Sequence, residues 1–278
     1  MSSAVAVSHG EYGRAALYRL DKTIITHAHR EGHLIFFVDG ADAMVMVEDT
    51  AVAISTHSAV AVSPWEPHSF HVPEGQSHLC LVLYIKPMWF LENSPSAEYA
   101  MQFGARHLQL SDGLRALVLR LTALLLDSED SRGFDQLLFG LTKASFEQSW
   151  SRATQRREPA CRFSDYRVRR SLRVLQDIVG ESIEMEDLAR QVGLSRPHFF
   201  KLFKQHMGVT PNVYMNTLRS ERAIDSLLGS EKSITDIAFD LGYSSQASFT
   251  RFFSSNVGIA PSEYRRVAHV SRPSFPMM

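Results

Sequence analysis

Two segments in the last third of the chain repeat each other, and this repeat constrains the fold more than any other feature. Residues 188–195 (LARQVGLS) match residues 237–244 (IAFDLGYS) at an offset of 49. After one inserted residue the match resumes at an offset of 50 and continues until Tyr214 aligns with Tyr264. A register kept over so many residues indicates that one small structural unit occurs twice.

Each copy predicts a short helix, a tight turn and a longer helix. Ala189 and Ala238 are small enough to let two helices approach closely. Gly193 and Gly242 can adopt the left-handed conformation that ends the first helix of each copy. This order of elements is that of a helix-turn-helix motif, whose second helix enters the major groove of DNA. The repeat therefore predicts two DNA-binding motifs, within a region of seven predicted helices between residues 166 and 267.

The second helix of each copy has an apolar face and a polar face. The side chains predicted to face DNA are Arg196, Lys201, Lys204, Gln246, Ala247, Thr250 and Arg251. Arg and Lys donate to guanine, Gln pairs with adenine, and Thr or Ala contacts a thymine methyl group. For any one of these residues the alternative is a solvated helix face or a contact with phosphate alone.

Residues 184–191, 193–206 and 234–267 closely resemble the DNA-binding domain of AraC/XylS-family transcription regulators. The resemblance implies two helix-turn-helix motifs joined by a long helix, here Pro211 to Leu228. It also implies that one chain reads two successive major grooves, about 34 Å apart, on one face of DNA.

The same resemblance maps base contacts of the first motif onto Pro197, Phe200 and Lys201. Pro197 and Phe200 stand where the family usually has polar residues. The first motif is therefore expected to read thymine methyl groups or DNA shape, or to contribute mainly affinity. In the second motif the family positions fall on Gln246, Ala247, Thr250 and Arg251.

The N-terminal part of the chain predicts β-structure. Between Thr23 and Ile85, seven short runs rich in Val, Ile and Phe are separated by turn residues. Their spacing predicts a small antiparallel barrel or sandwich. The Asp39-Gly40 pair predicts a hairpin, because Gly tolerates the positive φ that a type I′ turn requires.

The apolar period then changes to that of helices. Apolar residues between Leu114 and Leu125 fall at i, i+3, i+4 and i+7, which predicts an amphipathic helix at 112–127. A second helix is predicted at 134–150. These two helices either pack on the barrel or pair with the same helices of another copy to form a homodimer.

Histidines cluster in the β-rich part of the chain. The segment HAHREGH, residues 27–33, resembles the first metal motif of cupins, with His33 in place of the usual Glu. The segment PWEPH, residues 64–68, resembles a degenerate second motif. His27 and His29 lie two apart on a predicted strand and therefore point to the same face.

Two interpretations of these histidines remain open. In the first, they hydrogen-bond a small-molecule effector or structural neighbours in an apolar pocket, and no metal or other cofactor is expected. The predicted pocket residues are His27, His29, His33, Phe36, Trp65 and His68. In the second, the imidazoles of His27, His29, His33 and His68 bind a divalent ion. The chain would then be a metal-dependent enzyme of the cupin type fused to a DNA-binding domain.

The predicted fold class is a two-domain α+β protein. A cupin-like antiparallel β-barrel is followed by amphipathic helices and then by an all-α domain, in which a linker helix joins two helix-turn-helix motifs. The predicted segments are an effector-sensing barrel at 1–95, a helical connector at 96–155, a linker at 156–165, the DNA-binding domain at 166–270 and a tail at 271–278.

Charge separates the two parts of the chain. Residues 1–160 carry 13 Lys and Arg against 18 Asp and Glu, whereas residues 161–278 carry 16 against 12. The C-terminal part, with a net charge of +4, is therefore the one suited to DNA. A pI near 6.9 argues against a non-specific DNA-packaging protein.

Other classes of protein lack support in the sequence. Cys80 and Cys161 form no CxxC pair, which disfavours a disulfide framework and a zinc ribbon. No apolar run reaches the length of a membrane span, and the N-terminus lacks the pattern of an export signal. The sequence shows neither a nucleophile–base arrangement nor a Gly-rich phosphate loop, the features that would predict an enzyme.

The predicted function is that of a cytoplasmic, effector-responsive transcription regulator rather than an enzyme. Its expected partners are double-stranded promoter or operator DNA, a small-molecule effector and a second copy of the chain. RNA polymerase is a further partner if the protein activates transcription.

Overall fold

The structure is a computed structural model that describes residues 2–93, 102–127, 131–151, 165–177 and 184–270. The predicted linker at 156–165, apart from its last residue, lies outside the described residues. So do Cys161, the predicted tail at 271–278 and the boundaries predicted near residues 95 and 155. A β-rich part precedes a helical part, which confirms the two-domain α+β class.

Ten strands precede the first long helix in the described chain. They are β1 (Ser3–Gly10), β2 (Gly13–Leu20), β3 (Ile24–His27), β4 (Gly32–Gly40), β5 (Ala43–Val47), β6 (Thr50–Ile54), β7 (Ser58–Val62), β8 (His68–His71), β9 (His78–Ile85) and β10 (His107–Gln109). The seven predicted strands correspond to β3–β9. Sequence analysis missed β1 and β2, because their mixture of Ala, Ser, Gly and Arg lacks the usual enrichment in β-branched and aromatic residues.

The strands form two facing sheets. One has the order β10-β7-β4-β9-β2-β1-β11, where β11 (Ala268–Val270) follows the last helix, and the other has the order β3-β8-β5-β6. Val82 and Tyr84 of the large sheet and Val45 and Phe70 of the small sheet share one buried cluster. Hydrogen bonds do not close the described strands into one ring, because β3 and β6 end the small sheet without pairing to the large one. The predicted β-rich domain is therefore present as two facing sheets rather than as one closed barrel.

Asp39 and Gly40 do not form the predicted hairpin turn. Both remain in β4 and pair with Leu79 and His78 of β9, whereas β5 belongs to the other sheet. Gly40 has the expected positive φ, 95°. A glycine is also required at this position because the backbone of another residue approaches closely. A Cβ at Gly40 would lie 2.4 Å from the carbonyl oxygen of Ser77. Gly is therefore needed where the chain leaves one sheet for the other.

Three helices belong to the N-terminal part: α1 (Pro87–Asn93), α2 (Asp112–Leu126) and α3 (Ser131–Ser151). The apolar faces of α2 and α3 cover one face of the large sheet. Leu121 of α2 and Leu141 of α3 are fully buried in a cluster with Leu17 and Leu83 of the sheet. Packing on the sheet, one of the two predicted roles of these helices, is thereby confirmed.

All seven predicted helices of the C-terminal part are present. They are α4 (Tyr166–Asp177), α5 (Met185–Gln191), α6 (Arg196–Met207), α7 (Pro211–Gly229), α8 (Ile234–Asp240), α9 (Gln246–Val257) and α10 (Pro261–Val267). The part is not all-α as predicted, because β11 pairs in parallel with β1. The chain leaving α10 thus covers an edge of the large sheet that would otherwise have unpaired backbone groups.

The N-terminal and C-terminal parts share one hydrophobic core. Leu20 and Ile24 of the β-rich part lie in the same buried cluster as Phe253 and Ile259 of the helical part. A separate cluster holds the first helix-turn-helix unit together and includes Ala28. No helix among the described residues is both long and apolar enough to cross a membrane.

Candidate DNA-binding surface and interdomain site

The two copies of the repeat fold as the same unit. Helices α5 and α6 form the first unit, and α8 and α9 form the second. Both turns contain a glycine with positive φ, 75° at Gly193 and 79° at Gly242. The N–H groups of Leu194 and Tyr243 each donate to the carbonyl five residues earlier, at 2.9 Å. The predicted pair of helix-turn-helix units is therefore present in the fold.

The second helix of each unit, called here the recognition helix, buries two phenylalanines. Phe199 and Phe203 of α6, and Phe249 and Phe253 of α9, are at most 1% exposed. These rings lie four residues apart, so they hold one face of each helix against the core. The opposite face of each recognition helix is left at the surface.

All nine residues predicted to contact DNA lie on these surfaces. They are fully or partly exposed: Arg196, Pro197, Phe200, Lys201, Lys204, Gln246, Ala247, Thr250 and Arg251. Thr235 Oγ1 donates to Gln246 Oε1 at 2.7 Å, which orients the amide NH₂ group of Gln246 as the available donor. The Arg196 guanidinium lies 5.2 Å from the centroid of the Phe200 ring. Both helices thus expose groups that can donate to bases or phosphates.

Helix α7, which joins the two units, is fixed against the β-rich part. Thr217 Oγ1 donates to the carbonyl oxygen of Ala28 at 2.9 Å. The Tyr214 ring stacks on Trp65 with the ring centroids 4.8 Å apart. The β-rich part therefore contacts the helix that sets the spacing between the two recognition helices.

A cavity of about 480 Å³ lies between the β-rich part and α7. This volume is in the range of pockets that hold small molecules. Residues from both parts form its walls, including His9, Arg14, His27, His29, Ser220 and Glu221. A molecule in this cavity would therefore contact the β-rich part and the linking helix at the same time.

Arg14 is a buried cation at this cavity, with 8% of its surface exposed. Its Nη1 donates to Tyr264 Oη at 3.1 Å, and its Cζ lies 3.6 Å from the centroid of the Tyr84 ring. Neither partner is a carboxylate, and Nε has no hydrogen-bond partner among the described residues. Burial, followed by the charge of Arg14, lowers the pKa of nearby His9 to about 3. Arg14 therefore offers a cation without a carboxylate partner to an anionic group at this end of the cavity, whose walls also include the carboxylates of Glu31 and Asp225.

Glu221 of α7 joins the two parts of the protein through an ion pair. Its Oε2 lies 3.1 Å from Arg30 Nε, while its Oε1 is buried without a hydrogen-bond partner among the described residues. Burial raises the pKa of Glu221 from 4.5 to about 7, although the charge of Arg30 opposes this shift. The contact between α7 and the β-rich part therefore favours the protonated form of the Glu221 carboxyl group.

We expect Glu221→Gln to stabilise the protein at pH 8. Because the folded pKa is raised, the contribution of Glu221 is present below about pH 4.5 and is lost as the pH rises through about 7. With the side chain 30% exposed, a gain of about 1–2 kcal/mol in unfolding free energy is expected. Denaturant unfolding at pH 5 and pH 8 measures it, with the exposed Glu186→Gln as the control. A Gln variant that is less stable than wild type at pH 8 would contradict this account.

Four of the predicted histidines meet between the two sheets. His27 and His68 are cross-strand partners in the small sheet, His33 lies on β4 and His29 follows β3. The His68 ring centroid lies 4.4 Å from that of His27, 5.3 Å from that of His29 and 4.9 Å from that of His33. Burial lowers the pKa of His27 to about 4 and that of His68 to about 3, so both imidazoles are neutral at pH 7.

The other two predicted pocket residues lie away from these histidines. Phe36 is buried between the large sheet and helices α2 and α3, because alternate residues of β4 point to opposite faces. Trp65 packs on Tyr214 of α7 instead of lining the cavity. Sequence analysis missed Arg14, which lies on a strand that was itself not predicted.

Comparisons with known proteins agree with this architecture. A family model described as a helix-turn-helix domain matches residues 188–267. The HTH-type transcriptional activator RhaS of Escherichia coli is 26% identical over 89% of this chain and 90% of its own length. The probable transcriptional regulator LumQ of Photobacterium leiognathi is 24% identical over 88% of this chain and 94% of its own length.

Other matches cover less of the relative or show the fold alone. The chain spans 28% to 42% of the length of three further curated regulators. Among solved structures, ToxT from Vibrio cholerae superimposes with a TM-score of 0.56 at 16% identity, over 91% of this chain and 97% of that one. Taken with the duplicated motif and its geometry, these matches show that the chain carries a helix-turn-helix domain of the kind found in AraC/XylS-family transcription regulators.

Proposed function

We propose that this chain reads two successive major grooves of promoter or operator DNA with α6 and α9. The observation that carries the proposal is the duplicated unit, in which each recognition helix buries its phenylalanines and exposes its polar face. The net charge of +4 on residues 161–278 supports binding to a polyanion. This geometry is compatible with activation and with repression of transcription. If the protein is an activator, RNA polymerase is a further partner.

The two recognition helices have different roles in this proposal. In α9, Gln246 and Arg251 donate to base edges, while Ala247 and Thr250 contact thymine methyl groups. In α6, Pro197 and Phe200 provide apolar contacts, and Arg196, Lys201 and Lys204 bind phosphate or guanine. Base specificity therefore comes mainly from the second motif.

We further propose that the two-sheet part is a cupin-like sensor and that its effector binds in the cavity against α7. A ligand that contacts Arg14 on the sensor and Ser220 on α7 favours one arrangement of the two parts over others. ToxT, whose fold this chain shares, has been solved with an unsaturated fatty acid bound, which supports a small-molecule effector. The Arg14 environment favours an effector with a negative charge.

Helices α2 and α3 are the proposed dimer interface. Leu119 and Leu126 of α2 are 47% and 56% exposed and lie one heptad apart. They leave an apolar stripe away from the face that packs on the sheet, as a helix pair between two copies requires. The chain would act as such a dimer in the cytoplasm, where it meets its DNA.

The test is footprinting of the full chain on DNA from upstream of its own gene. We expect protection of two successive major grooves per chain on one face of the DNA. Arg251→Ala and Lys201→Ala should each weaken specific binding by about 1–3 kcal/mol, roughly 5- to 150-fold in Kd. Lys22→Ala, which removes the same charge from an exposed site in the N-terminal part, should leave Kd unchanged. Protection of a single groove, or equal binding by Arg251→Ala and Lys22→Ala, would refute the proposal.

A further inference from the structure

The histidine cluster has the arrangement of a metal site. Ring nitrogens of His27, His29 and His68 all lie within 4.8 Å of one another. Small movements of the side chains would bring such a set to the nitrogen–nitrogen separations of a tetrahedral ion with bonds of about 2.1 Å. Three neutral imidazoles are a common ligand set for a divalent transition metal ion.

The hydrogen bonds around the cluster prepare the ligand atoms. His27 Nδ1 lies 2.7 Å from the carbonyl oxygen of Ile25, and His68 Nδ1 lies 2.9 Å from the carbonyl oxygen of Glu66. A carbonyl only accepts, so in both rings Nδ1 carries the proton and Nε2 has the free electron pair. Metal-binding histidines are typically oriented by such a bond from the nitrogen that does not bind the metal.

Two further ring nitrogens at the cluster lack partners. The Nε2 atoms of His29 and His33 are buried without a hydrogen bond to any described residue. His33 Nδ1 lies 3.0 Å from His68 Nε2 and donates to it in the metal-free cluster. A metal ion would take over this electron pair of His68, and the freed His33 would turn toward the same ion or toward its solvent ligand.

We propose that His27, His29 and His68 bind one divalent transition metal ion per chain, such as Zn²⁺ or Co²⁺. His27 and His29 also line the interdomain cavity, so the open coordination position of the ion faces the cavity. The metal site lies in the β-rich part, and its occupancy does not depend on the proposed DNA contacts.

Local charge determines what fills the open position. The three ligands are neutral, and the guanidinium of Arg14 lies 3.6 Å from the Tyr84 ring, which also contacts the rings of His29 and His33. A divalent cation in the same cavity as a buried arginine favours an anionic ligand, because the anion offsets the repulsion between the two cations. We therefore expect an anionic oxygen or nitrogen ligand from the cavity, such as a carboxylate, to complete the site.

The experiment is a Co²⁺ titration of the tag-free full chain after treatment with EDTA and dialysis. Visible absorption reports stoichiometry and coordination geometry, and added azide serves as the anionic probe. We expect one equivalent of Co²⁺ per chain, intense bands typical of tetrahedral coordination, and a spectral change when azide enters the open position. His57→Ala, which removes an exposed histidine outside the cluster, should bind like wild type.

His29→Gln and His68→Gln should each weaken Co²⁺ binding at least tenfold. Replacing a residue that only hydrogen-bonds a metal ligand already lowers metal affinity by about 10- to 100-fold, and these variants remove a ligand itself. His29 is the safer variant for folding, because its Nε2 makes no hydrogen bond among the described residues. Circular dichroism and DNA binding of the metal-free variants verify that both are folded. Failure of the wild type to bind one equivalent, or undiminished binding by a folded His29→Gln variant, would overturn the proposal.

Discussion

Replacing Phe253 with Ala should lower the free energy of unfolding by about 3–5 kcal/mol and should loosen the β-rich part together with the second motif. Phe253 is fully buried in the cluster that also contains Leu20 and Ile24. Its ring lies 5.6 Å from that of Tyr264, whose hydroxyl accepts from Arg14. The cavity left by the ring would therefore open at the interface between the two parts.

Phe203 is the matched control, because it occupies the same position in the first copy of the repeat. It is also fully buried, and its ring lies 5.6 Å from that of Tyr214. Its cluster draws little from the β-rich part, namely Ala28 and Trp65. Phe203→Ala should therefore cost a similar free energy but leave the strands protected.

Hydrogen exchange measured by mass spectrometry distinguishes the two variants. Peptides covering β1–β3 should exchange faster in Phe253→Ala than in Phe203→Ala, since exchange reports local opening. Peptides from the first motif should exchange faster in Phe203→Ala than in Phe253→Ala. Equal protection of β1–β3 in the two variants would mean that the second motif and the β-rich part do not share a core in solution.

This unequal packing suggests how a ligand could alter DNA binding. The second motif shares the core of the β-rich part, whereas the first motif has a cluster of its own, and α7 connects the two motifs. A molecule in the cavity touches α7 and the strands at once. A ligand shifts the equilibrium between two arrangements of the protein only if it binds one of them more tightly than the other. A ligand that contacts both α7 and the strands meets this condition, because its contacts change when the two parts move. The relative placement of the two recognition helices is the property that such a shift would change.

Local signals in the sequence predicted the C-terminal fold well. Gly193 and Gly242 have the left-handed conformation expected of them, and all seven predicted helices are present. Caps, turns and apolar periods depend on near neighbours, so they can be read from one sequence. The exposed face of each recognition helix followed from the same periods.

Long-range pairing was the part that the sequence did not reveal. Asp39-Gly40 has a strong local hairpin signal, yet both residues stay in β4 and pair with β9, and the backbone of Ser77 leaves no room for a side chain at Gly40. The site shows the same limit. The histidines were recognised by their spacing, but Arg14 and Glu221 gain their roles only from the contact between the two parts, 207 residues apart in sequence. The spacing of apolar residues along the sequence does not indicate a contact between residues so far apart.

The C-terminal ends of the two recognition helices provide a second test of that contact. Gly208 and Gly258 end α6 and α9 in the left-handed region, with φ of 77° and 92°. A Cβ at Gly258 would lie 2.8 Å from Ile24 Cδ1 and 3.2 Å from Leu20 Cδ2. At Gly208 the nearest atom would be the Trp65 carbonyl oxygen, at 3.7 Å. The two glycines thus have the same backbone requirement but different surroundings.

We expect Gly258→Ala to lower the unfolding free energy by about 2–4 kcal/mol and Gly208→Ala by about 1–2 kcal/mol. Both variants incur the cost of a side chain in the left-handed region, and Gly258→Ala adds overpacking against Ile24, which is 8% exposed. Denaturant unfolding of the two full-length variants measures the difference. Because backbone strain is common to both, that difference isolates the contact of α9 with the β-rich part. Equal losses would mean that Gly258 does not contact Ile24 in solution and that the second motif is released from the β-rich part.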